Sequence, residues 1–70
     1  MADHIYKIIE ITGTSRVSID EAIKAGLKRA GETLDELCWF QVSEIRGSVD
    51  QKSVDHYQVT MKVGFTLKET

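Results

Sequence analysis

From His56 to Leu67 the chain alternates without a break: Tyr57, Val59, Met61, Val63, Phe65 and Leu67 fall on one side, His56, Gln58, Thr60, Lys62, Gly64 and Thr66 on the other. A period of two predicts a strand with one apolar and one polar face. The apolar face needs a cover, and the chain offers one helix. Ser18-Ile19-Asp20-Glu21 reads as a capping box, in which Ser18 accepts from the third helical amide and Glu21 reaches back. Ile19, Ala22, Ile23, Gly26, Leu27 and Ala30 then form an apolar stripe at helical spacing, while Lys24, Lys28 and Arg29 fall off it. Gly31 is the expected stop, with one further turn over Thr33 to Leu37 as the alternative.

Two more strands complete the order. About His4 to Thr12 is rich in β-branched residues and carries apolar side chains on both faces (Ile5, Ile9 and Ile11 against Tyr6 and Ile8); Gly13-Thr14-Ser15 is expected to end it. Cys38 to about Val49 forms the second strand and Val54 to Leu67 the third, joined as a hairpin by the polar turn within Ser48 to Ser53. Fourteen strand residues reach roughly 46 Å at ~3.3 Å each. A helix of about fifteen residues covers ~22 Å. The overhang and the second apolar face of the first strand therefore predict contacts with other subunits.

Composition agrees. The chain has 70 residues, which makes one small domain, 1–70, with a modest core. Cys38 is its only cysteine, so no intrachain disulfide forms, and His4 and His56 lack metal-ligand spacing with it. Self-association remains as the source of extra stability. A net charge of −2 gives no basic footprint for nucleic acid. With no basic and apolar leader and no run of ~20 apolar residues, the expectation is a soluble, cytoplasmic protein with no membrane partner.

Trp39 is the only tryptophan. Beside Phe40 in a strand it points to the opposite face. If Phe40 and Val42 face the helix, Trp39 faces away with Gln41, Ser43 and Gln58. An indole with a carboxamide on an open sheet face suits a planar heterocycle, stacked on the ring and bonded at its edge; the alternative is an anchor in a subunit contact. Arg46 suits a carboxylate or phosphate, or an ion pair with another strand. Cys38 and His56 as nucleophile and base lack a third, orienting group, and Thr12-Gly13-Thr14-Ser15 lacks the Gly-x-Gly pattern and lysine of a phosphate loop.

Three ordered blocks carry a resemblance over nearly the whole chain: Tyr6-Lys7-Ile8-Ile9-Glu10-Ile11-Thr12-Gly13-Thr14-Ser15; Trp39-Phe40-Gln41-Val42 with Ile45-Arg46-Gly47; and Tyr57-Gln58-Val59-Thr60-Met61-Lys62-Val63-Gly64-Phe65. The chain resembles the dodecins, small flavin-binding proteins assembled as hollow homododecamers. The resemblance implies an α+β fold, β-α-β-β, with a three-stranded antiparallel sheet partly wrapping one helix. It implies FMN or riboflavin stacked in pairs between Trp39 side chains of symmetry-related subunits. Gln58 would bond the polar edge of the isoalloxazine and Arg46 would lie near its ribityl and phosphate end. Storage and photoprotection follow, without catalysis, because the indole quenches the excited flavin by electron transfer. Two positions depart from the family. Thr66 stands where several bacterial members carry a phosphate-facing arginine, which weakens the case for FMN over riboflavin, and Cys38 replaces a frequent acidic residue. A structural oligomer binding coenzyme A through Lys7, Lys28 and Arg29 is the competing expectation.

Overall fold

The computed structural model describes residues 5–34 and 36–66. The order is β1 (Tyr6–Ser15), α1 (Ile19–Thr33), β2 (Leu37–Asp50) and β3 (Ser53–Thr66). The strands form one antiparallel sheet in the order β1-β3-β2. The expected β-α-β-β arrangement is present, with the alternating strand at the centre. His4 and Leu67, expected at strand ends, lie outside the described residues, as does Asp35.

The inner face of β3 forms the core. Val59, Met61 and Val63 are fully buried together with Ala22 of α1, and Ile9, Ile11, Ile19, Ile23, Leu27, Leu37 and Val42 pack around them. Burying each of the three strand side chains contributes roughly 1.5–3 kcal/mol. α1 lies over β1 and β3. Phe40, opposite Val63 and thus on the same face, extends past this cover and is 45% exposed.

Gly13 does not end β1. The strand continues through Ser15, with Gly13 opposite Val59. A Cβ at Gly13 would overlap the Ala22 carbonyl, so the glycine lets the helix backbone approach the strand. Gly31 likewise lies inside α1, which ends at Thr33 with Leu34 as its cap. At the other end Ser18 caps as expected, its Oγ accepting from the Glu21 amide at 3.0 Å. The Ser18 amide, expected to meet the Glu21 side chain, donates instead to Ser15 Oγ at 3.4 Å. Extending β1 to Ser15 brings that hydroxyl within reach.

The molecule measures 56 × 20 × 13 Å, so a single helix covers only part of its length. The β2–β3 hairpin projects beyond the N-terminus of α1. There Ile19, Ile45, Val49, Val54 and Tyr57 line an apolar recess of about 270 Å³. Its tip turns through Gln51 and Lys52, both at positive φ (50° and 68°), as a two-residue hairpin turn requires.

Candidate functional site

The outer face of the sheet carries Trp39, Gln58 and Arg46, the residues expected to bind flavin, and Arg46 reaches it through an irregularity in β2. Trp39 lies opposite Gly64 and Gln41 opposite Lys62. Strict alternation from there would send Arg46 to the inner face. A register shift between Val42 and Glu44 makes Ser43 an extra residue, and Glu44 then faces Thr60 while Arg46 faces Gln58. A bulge that changes the phase of a strand re-aims every side chain beyond it. Ser43 is held in place as its Oγ donates to the Thr60 carbonyl at 3.1 Å.

The indole of Trp39 lies across Gly64. A Cβ at position 64 would overlap indole Cε2, Cζ2 and Nε1, so only glycine leaves the ring this bed. Ile8 faces the same glycine from β1. Tyr6 meets the indole edge-on, with ring centroids 6.3 Å apart and planes at 66°. Tyr6 and Ile8 are 46% and 51% exposed and Trp39 is 37% exposed, which gives an open apolar floor with an aromatic face. This accounts for the apolar residues on the second face of β1.

Gln58 shares the face but lies far from the ring. It sits six residues from Gly64 along β3, roughly 20 Å at ~3.3 Å per residue. Arg46 is beside it on the neighbouring strand. One chain therefore presents two half-sites, an aromatic floor at one end and an amide with a guanidinium towards the other. Gln58 Nε2 lies 3.2 Å from His56 Nε2, and His56 Nδ1 lies 2.8 Å from Asp55 Oδ2. Ser48 Oγ is 2.9 Å from the same Nδ1. The hydrogen bond to His56 is the main reason the Asp55 carboxyl sits below its ordinary value of 3.8; partial desolvation opposes this and the Arg16 charge adds to it.

Cys38 is exposed and approaches the Glu36 carbonyl at 3.3 Å. It borders the Trp39 end, whereas His56 pairs with Ser48 towards the hairpin, so one chain does not bring this thiol to the His56 imidazole. Arg29 lies within 3.8 Å of Glu32 and borders a cleft between α1 and β1. Among the described residues no group of three His, Cys, Asp or Glu is placed to hold a metal. No helix there is long and apolar enough to cross a membrane.

A family model described as Dodecin matches residues 5–68. The chain belongs to the dodecin family. It is 48% identical to a dodecin of Thermus thermophilus over 94% of this chain and 96% of that one. A dodecin structure from Streptomyces davaonensis superposes with a TM-score of 0.93 at 47% identity, covering 97% of this chain and all of that one. More distant is the calcium dodecin of Mycobacterium tuberculosis, 30% identical over 91% of this chain and 90% of that protein. Its crystal structure, described as having a calcium-binding site, matches with a TM-score of 0.79 over 94% of each chain.

Within this dodecin fold, sequence reasoning missed Gly64 at the candidate site, and it weighed His56 only as a base for Cys38, not as the partner of Gln58. A glycine inside an otherwise regular strand was the available signal for the first. Nothing in the spacing pointed to the second, because its role depends on the neighbours Asp55, Gln58 and Ser48.

Proposed function

We propose that residues 1–70 form one dodecin-like domain that binds and stores flavin, FMN or riboflavin, without catalysis. Trp39 supplies the stacking face, Gln58 the amide for the polar edge of the isoalloxazine, and Arg46 the cation for the ribityl or phosphate end. The observation that carries this reading is the outward indole on its glycine bed, flanked by Tyr6. An aromatic face left open on a polar strand surface suits a flat ligand. Because Trp39 and Gln58 of one chain are too far apart for one flavin, the site is completed between subunits. The homododecamer implied by the family provides those contacts, and the overhanging hairpin supplies apolar surface for them.

The indole also explains photoprotection. An excited isoalloxazine stacked on Trp39 takes an electron from the ring, and rapid return of that electron restores both partners before photochemistry occurs. Thr66 offers no positive charge for a phosphate, so riboflavin should bind at least as well as FMN. Titration of the apoprotein, followed by flavin fluorescence, tests the reading, with coenzyme A as a competitor under matched salt. Flavin emission should fall on binding, and Trp39→Ala should weaken affinity by about 1–3 kcal/mol. Unaltered affinity in that variant would remove stacking from the account; displacement of flavin by coenzyme A would point to an overlapping nucleotide site.

A further inference from the structure

The side chain that holds Gln58 is itself oriented by others. Asp55 Oδ2 and Ser48 Oγ lie 2.8 and 2.9 Å from His56 Nδ1, while His56 Nε2 lies 3.2 Å from Gln58 Nε2. A carboxylate at Nδ1 keeps the imidazole proton on that nitrogen and leaves Nε2 with a bare lone pair in the neutral ring. An amide nitrogen is a donor only. The contact is therefore a Gln58 N–H donating to His56 Nε2. This sets the sense of the amide: Oε1 and the second N–H remain for a ligand.

Protonation reverses the arrangement. A charged imidazole carries N–H at both nitrogens and accepts at neither. Gln58 must then turn its amide over, so that Oε1 accepts from Nε2–H and both amide hydrogens face outward.

We infer that His56, backed by Asp55 and Ser48, is a positioning residue that decides which end of the Gln58 amide meets the ligand. The neutral ring selects a planar ligand whose edge has an N–H next to a carbonyl, since the amide then offers both an acceptor and a donor. The charged ring offers donors alone. This inference rests on the flavin reading for its ligand, though the orientation of Gln58 does not. The charged groups around the imidazole are Asp55 on β3, Arg46 beside Gln58 on β2, and Arg16 after β1, whose charge reaches Asp55. α1 packs on the opposite face of the sheet. The His56 side chain is 28% exposed, so protons reach it from solvent.

Two measurements on the assembled protein test this. Riboflavin is titrated by fluorescence quenching at about pH 8 and about pH 5.5, either side of the usual histidine range, with wild type and His56→Phe. Losing one ligand hydrogen bond should weaken wild-type binding roughly fivefold on acidification, while His56→Phe should bind more weakly at the higher pH and respond little to acid. Separately, 15N-imidazole spectra of ligand-free protein carrying His4→Ala isolate His56, and the neutral ring should carry its proton on Nδ1. A full acid response in His56→Phe, or a neutral ring protonated at Nε2, overturns the inference. If wild type binds no riboflavin at either pH, the flavin reading fails, and the spectra still decide the role of His56.

Discussion

The two halves of the long hairpin have the same strand chemistry and different fates. Beneath α1, Val59, Met61 and Val63 are fully buried. Past the end of α1, Val49 and Val54 are 72% and 53% exposed, and Ile45, opposite Val59 but on the outer strand β2, is 53% exposed. Burial depends here on what lies opposite a side chain, and apolarity alone does not secure it. The covered half is completed by its own chain, and the uncovered half is completed by neighbours in the proposed assembly. The candidate site has the same division: the indole floor backs the covered half, and Gln58 with Arg46 lies where cover runs out.

Substitutions can separate the halves. Met61→Ala removes a fully buried side chain from the covered half and should cost about 2–5 kcal/mol of stability, measured by denaturant unfolding. A much smaller loss would mean that the core collapses onto the vacancy. Val54→Lys should do the reverse. An exposed strand side chain contributes about 0.5 kcal/mol or less to the fold of a single chain, but a lysine buried unpaired between subunits is strongly disfavoured. The mass in solution should therefore fall while secondary structure persists; an unchanged mass would place the hairpin outside the subunit contacts.

Gly64→Ala sharpens the comparison on the outer face. Its methyl group would occupy the space of the indole, so Trp39 must swing off its bed. Flavin affinity should drop by an amount similar to loss of stacking, about 1–3 kcal/mol, with the fold retained. Wild-type affinity would show that the ring does not bind in this pose.

The smallest effect is expected from pH, at Asp55. Its folded-state pKa is depressed, chiefly by the hydrogen bond to His56. A depressed carboxyl contributes stability that is complete above its unfolded value and disappears as pH falls through the folded one. Asp55→Asn should be less stable than wild type at about pH 6, and the gap should close below the ordinary 3.8. Unfolding curves for the two proteins at both pH values provide the check. A gap that persists in acid would mean that Asp55 acts through something other than its charge.

Much of the fold was legible because it depends on neighbours close in sequence. Alternation along β3 identified its inner face, Ser18 marked the start of α1, and the adjacency of Trp39 and Phe40 put the indole outside. Gly13 misled for an equally local reason: a glycine followed by Thr and Ser resembles a turn, and only the approach of Ala22 explains it as strand. Length alone foretold the overhang, since strand and helix advance by different amounts per residue.

The amino-acid order by itself thus determined the elements, their apolar faces and the outward aromatic. Tertiary structure decided where the polar half of the site lies. The extra residue at Ser43 brings Arg46 to the Gln58 face, Gly64 comes to lie under the indole through cross-strand pairing, and the Ser48 hydroxyl meets His56 across two strands. Periodicity records the relation of a residue to its own strand. Register and bulges are settled between strands, by hydrogen bonds that no single segment contains.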